Sequence, residues 1–150
     1  MPLDPSRVIS GTYGQVFKEG KELANFNHLE AVVEIQKREL KLAGNEWVTH
    51  KKGALKGTGT LSGYKVTSDS IIQGFEKFEL VSKLADPEAY GHERIRLMNV
   101  MFDRIQLANW TAHEEVLEEL PFTFEGAELL DPITEGGGGA SLTITLNLEV

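Results

Sequence analysis

The stretch Asn27-His28-Leu29-Glu30-Ala31-Val32-Val33-Glu34-Ile35-Gln36-Lys37-Arg38-Glu39-Leu40-Lys41-Leu42 decides the fold class. Leu29, Ala31, Val33 and Ile35 alternate with Glu30, Val32, Glu34 and Gln36, the period-two pattern of a strand with one face turned inward. The Glu, Lys and Arg content would equally suit a helix. The flanks favour a strand, because hairpin-like sequence lies on both sides. Upstream, Gly14 to Phe17 and Glu22 to Ala24 bracket a glycine-containing turn at Lys18-Glu19-Gly20-Lys21. Downstream, Thr58, Thr60, Ser62, Tyr64 and Val66 alternate with Gly59, Leu61, Gly63, Lys65 and Thr67, a strand whose glycines mark bends or close contacts.

Further strands are expected at 94–98, at 100–107 and at 116–125, where residues 112–120 also admit a short helix and Pro121 suits a bulge or an edge. One helix is expected. Ser68-Asp69-Ser70 is a capping sequence, and Ile71, Ile72, Phe75 and Phe78 follow at helical spacing, which predicts a helix ending near Leu84. Residues 44–53 are polar, flanked by glycine and without period, so they read as a long exposed loop. Loops of that length inside a domain usually carry function. Near the end, four glycines at 136–139 form a flexible linker. Leu142, Ile144, Leu146, Leu148 and Val150 then alternate with polar residues as a further strand. Such a strand should complete its own sheet or add to a neighbour's, with an engineered appendage as the other reading.

Composition bounds the function. The chain has 150 residues, 41% hydrophobic and 25% charged, and no cysteine, so disulfides and thiolate metal sites are excluded. Absence of cysteine fits synthesis in a reducing cytoplasm. No apolar run approaches a membrane span, and no secretory leader pattern is present. The net charge of −8 argues against general nucleic-acid binding. Its distribution is uneven. Lys37, Arg38, Lys41, Lys51, Lys52 and Lys56 face only Glu39 and Glu46 over 37–56, a local balance of +4 that leaves −12 for the rest. After Arg104 there is no further Lys or Arg. Two solvated faces, a basic loop for an anionic partner, and self-complementarity between copies all accommodate this split. Contact of the last kind is head-to-tail and builds rings or filaments.

Chemistry-bearing motifs are lacking. His28, His50, His92 and His113 form no spaced pair, and His113-Glu114-Glu115 lacks the second histidine of a zinc-protease helix. Gly57-Thr58-Gly59-Thr60-Leu61-Ser62-Gly63 misses the dinucleotide fingerprint, and Gly53 to Thr58 lacks the order of a phosphate loop. No nucleophile elbow occurs. The glutamate pairs 114–115 and 118–119 read as one solvated face. No catalytic, cofactor or metal site is expected.

Several stretches together resemble the tail-tube proteins of contractile phage tails, the family typified by the tube protein of the PBSX prophage. They are Ile9-Ser10-Gly11, Gly57-Thr58-Gly59-Thr60 with Tyr64-Lys65-Val66-Thr67-Ser68, Glu93-Arg94-Ile95, and Asn99-Val100-Met101-Phe102-Asp103. Most distinctive is Glu118-Glu119-Leu120-Pro121-Phe122-Thr123-Phe124-Glu125. The resemblance covers roughly residues 8–125. It implies a mainly β fold, two sheets packed as a barrel-like sandwich with one flanking helix, as in type VI secretion tubes. It also implies self-association into hexameric rings that stack into a tube, with sheath, baseplate and tape-measure proteins as partners. Nucleic acid would pass through without specific binding, and the assembled site would be a virion or phage-tail-like particle. On this reading residues 1–135 form the domain, with an arm at 2–11 and a long loop at 41–56 making the contacts between rings. Val8, Ile9, Lys41, Trp47, Val48, Lys51, Lys52 and Lys56 are the candidate contact residues. The linker at 136–139 and the strand at 140–150 have no support from the resemblance. A ring-forming carrier or adaptor that does not polymerise is the alternative.

Overall fold

The computed structural model describes residues 3–134 and the backbone of 144–146. Two short 3-10 turns, Pro5–Arg7 and Gly11–Tyr13, lead into β1 (Gly14–Lys18) and β2 (Lys21–Glu22). Glu19 and Gly20 close that hairpin with φ of 50° and 82°, the left-handed geometry a two-residue turn needs. Two long strands follow, β3 (Phe26–Leu40) and β4 (Thr49–Tyr64), then a single helical turn, α1 (Asp69–Gln73). The remainder is β5 (Phe78–Leu84), β6 (Glu93–Phe102), β7 (Leu117–Phe124), β8 (Gly126–Asp131) and β9 (Ile144–Leu146).

All pairings are antiparallel. One sheet runs β2-β1-β5-β6-β8-β9, and the other runs β3-β4-β7 and joins the end of β6. Strand β6 therefore belongs to both. Its first half pairs with β8 through Leu97 opposite Ala127, and its last residues pair with β7 through Phe102 opposite Phe122. The corner lies at Asn99, with φ of 54°, where the ladder to β5 also shifts register between Phe78 and Leu80. Asparagine tolerates this left-handed conformation better than most residues. Across the corner the amide of Glu125 donates to the carbonyl of Met98 at 3.0 Å.

Between the sheets lies a core of Leu61, Phe78, Leu80, Leu97, Val100, Phe102, Leu120, Phe122 and Phe124, with Leu80, Val100 and Phe122 fully buried. Phe78 and Phe102 pack tilted, with ring centroids 5.0 Å apart. The glycines of β4 make room for this aromatic layer. Gly57 stands opposite Phe124 and Gly59 opposite Phe122. A Cβ at Gly57 would lie 2.5 Å from the Phe124 ring, and one at Gly59 would lie 2.3 Å from the Glu30 carbonyl oxygen. The glycine run thus serves close packing, the role expected of glycine in a strand.

The strand reading of 27–42 matches β3, and the two-sheet β class holds. Four expectations need correction. The helix stops at Gln73, and Phe78–Leu84 is a strand. Gly74, at φ of 61°, ends the helix, and the exposed Ile72 and Phe75 show that the helical stripe faces no core. The expected strands at 94–98 and 100–107 are one strand ending at Phe102, and residues 112–116 form no helix. The supposed loop at 41–56 is a loop only over 41–48, because Thr49 onward is paired strand. Finally, Glu118, read as part of a solvated face, is buried and accepts the Ser70 hydroxyl at 2.9 Å. In the terminal strand, Ile144, Thr145 and Leu146 pair within the chain's own sheet, opposite Leu129, Glu128 and Ala127. The glycine linker lies outside the described residues.

Candidate assembly surfaces

Strands β3 and β4 outrun the body they belong to. Up to Val33, opposite Gly57, the inner face of β3 packs against the core. Just beyond, the ladder skips. Ile35 faces Leu55, but Lys37 faces Lys52, so Gly53 and Ala54 stand together against Gln36. This is a bulge, and it requires glycine at 53, since a Cβ there would lie 2.0 Å from the Gln36 carbonyl oxygen. Past the bulge the pair continues as a two-stranded arm whose β3 residues, from Lys37 to Leu40, are all exposed.

At the tip Gly44 takes φ of 78°, and the Asn45 side-chain carbonyl accepts the amide of Trp47 at 3.0 Å. Thr49 closes the turn by donating its hydroxyl to the Leu40 carbonyl at 3.1 Å. Trp47 is thereby held outward at 81% exposure, with Val48, Leu40 and Leu42 also open. Behind the tip, Lys37 is opposite Lys52 and Arg38 opposite Lys51. Like charges in directly opposed pairs are unfavourable within a ladder. No ion pair among the described residues relieves any of these four.

Of the candidate contact residues, Lys41, Trp47, Val48, Lys51, Lys52 and Lys56 lie on this hairpin. Val8 and Ile9 lie elsewhere. The segment carrying them is tied to the β5–β6 connection: Asp86 accepts the amide of Ser10 at 3.0 Å and that of Glu88 at 2.9 Å. Arg7 donates to the Glu88 carbonyl at 2.8 Å and covers the Tyr90 ring at 4.7 Å. Those two backbone amides hold the Asp86 carboxyl below the usual carboxylate range. Val8 stays exposed on the outside of this strap. The sequence reading missed Arg38 and Lys37 as members of the basic cluster's two facing pairs, a relation that only the register reveals. No group of acidic residues and histidines that could hold a metal occurs among the described residues.

A two-sheet sandwich of this kind has counterparts among known proteins. Residues 1–131 match the family model described as phage tail tube protein. The chain belongs to the phage tail tube family. This tail tube chain is 33% identical to the phage-like element PBSX protein XkdM of Bacillus subtilis (strain 168), over 90% of this chain and 99% of that one. It is 36% identical to the uncharacterized protein YqbM of the same organism, over 83% of this chain and 92% of the relative. In fold it is similar to a chain of the sheath-tube complex of an extracellular contractile injection system in the extended state. The TM-score is 0.62 at 13% identity, covering 89% of the tail tube chain and 93% of the other. The protein is thus a structural subunit of a tail tube.

Proposed function

We propose that this subunit forms hexameric rings that stack into a tube, with the β3–β4 arm as the contact between rings. The carrying observation is the arm itself. A two-stranded ribbon without a packed face is marginal in water, and this one adds opposed like charges and an open tryptophan. Such a ribbon gains stability when another surface covers its tip and neutralises its lysines. Its charge suits another copy of a chain that is acidic elsewhere. Sheath, baseplate and tape-measure proteins are the further partners, in keeping with the sheath-tube complex that supplies a similar fold. The role is structural, with no reaction catalysed.

The channel wall is assigned to the outer face of the β3-β4-β7 sheet. Thr58, Thr60 and Ser62 line it beside His28, Glu30, Val32, Pro121 and Thr123, a wall of mostly small and uncharged groups that gives a polyanion little to hold. Electron microscopy of assembled particles tests the whole reading. Stacked six-fold rings with arms lying between them are the expected result. Isolated rings would mean a non-polymerising carrier, and a strongly positive channel would overturn the lumen assignment.

A further inference from the structure

The arm lies at one end of β4. The other end, at Tyr64, carries a second exposed apolar group. Tyr64 is directly opposite Leu117 on β7, and both are about half exposed. Val66 continues this edge at 71% exposure. Beside them runs the connection from β6 to β7, residues 103–116, which holds Trp110 at 72% exposure. Backbone bonds seat this connection on the same end. The amide of Lys65 donates to the Val116 carbonyl at 2.8 Å, and that of Asp103 donates to the Pro121 carbonyl at 2.8 Å. The Gln106 side chain accepts the amide of Glu119 at 3.2 Å.

The charge here is the reverse of the arm's. Asp103, Glu114 and Glu115 lie on the β6–β7 connection and Glu119 on β7 two residues from Leu117, while Arg104 and Lys65 are the cations of these segments. Ile72 and Phe75 on α1 are also exposed, but Lys18, Lys21 and Lys77 interleave the carboxylates there. The Tyr64 end is therefore the better match for an apolar tip with four cations behind it.

We infer that the Tyr64–Leu117 end of one subunit receives the Trp47 tip of a second copy, with Glu114, Glu115 and Glu119 facing Lys37, Arg38, Lys51 and Lys52. This rests on the reading of the arm as an inter-ring contact and names its partner surface. The donor and acceptor occupy opposite ends of one 16-residue strand. At roughly 3.3 Å per residue they lie up to about 50 Å apart. One subunit therefore cannot satisfy itself, and the contact is head-to-tail and open-ended.

The chain has no cysteine of its own, so engineered thiols report the contact directly. In concentrated full-length protein under mild oxidation, Trp47→Cys mixed with Leu117→Cys should give a disulfide-linked heterodimer. Its yield should be at least tenfold above that of Trp47→Cys mixed with Ile72→Cys. A tip cysteine that pairs with position 72, or with neither, overturns the assignment. All three positions are exposed, and a thermal melt of each variant confirms that the subunit is folded. Charge reversal separates this inference from the reading beneath it. If Lys51→Glu/Lys52→Glu assembles like wild type, the arm is not the inter-ring contact. If that variant fails to assemble but Glu114→Lys/Glu115→Lys does not restore it when the two are mixed, only the acceptor is wrong.

Discussion

Lys52 stands directly opposite Lys37 on the paired strand of the arm, and one step along Lys51 stands opposite Arg38. Facing cations weaken a ladder, and opposite charges at such positions contribute about 0.2–1 kcal/mol each. Lys51→Glu/Lys52→Glu should therefore leave the isolated subunit as stable as wild type or slightly more so, while stacking is lost. Thermal melts of the subunit and sedimentation of assembled material across a salt series check both halves. A variant that stacks normally at every salt concentration removes the arm as the contact between rings.

Glycine at 57 and at 59 should behave differently. At Gly57 the atoms an added Cβ would meet most closely all belong to the Phe124 ring, whereas at Gly59 a backbone oxygen is also in the way. Each Gly→Ala change should cost about 1–3 kcal/mol, and Phe124→Ala about 3–5 kcal/mol. In the Phe124→Ala background, Gly57→Ala should cost much less than alone. Gly59→Ala should keep its cost when Phe122 is truncated. Denaturant melts of the two double-mutant cycles give the coupling directly.

The strap at Ser10 should respond to acid. Because the folded carboxyl of Asp86 titrates below its usual range, owing first to the Ser10 amide and then to that of Glu88, its contribution is present at neutral pH. It is lost as pH falls through the folded value. Hydrogen exchange at the Ser10 and Glu88 amides, corrected for intrinsic rates, should show protection that declines on acidification. In Asp86→Ala the protection should be low at every pH.

Removing residues 136–150 takes away β9 and leaves β8 without the partner it has along Ala127 to Leu129. The melting temperature of the truncated subunit should fall by several degrees, at about 2–4 °C per kcal/mol for a chain of this size. An unchanged melt with impaired ring formation would instead assign the segment to a neighbouring copy.

Legibility in the sequence followed burial. β3 is readable because Leu29 and Val33 pack against a core that imposes alternation. Residues 49–53 carry no strand period because the arm lies largely beyond that core, and nothing selects an apolar face there. The helix was overread for the opposite reason. Ile72 and Phe75 have helical spacing but are exposed, while Phe78 and Leu80 already follow a strand's period. Gly74 was the available stop signal. The basic stretch was visible as composition, but its opposed pairs depend on the bulge at Gly53, a register shift that leaves no periodic trace.

Strand β6 has a mechanical consequence. Two sheets joined only by loops and side-chain packing can slide over one another under load. Here the last two residues of the strand that pairs with β8 are paired with β7, so any slippage must first break the ladder at Met101 and Phe102. A push delivered to one sheet is carried covalently into the other through the bend at Asn99. Each subunit then acts as a stiff block under axial thrust, and compliance in a tube built from such blocks resides at the joints between copies.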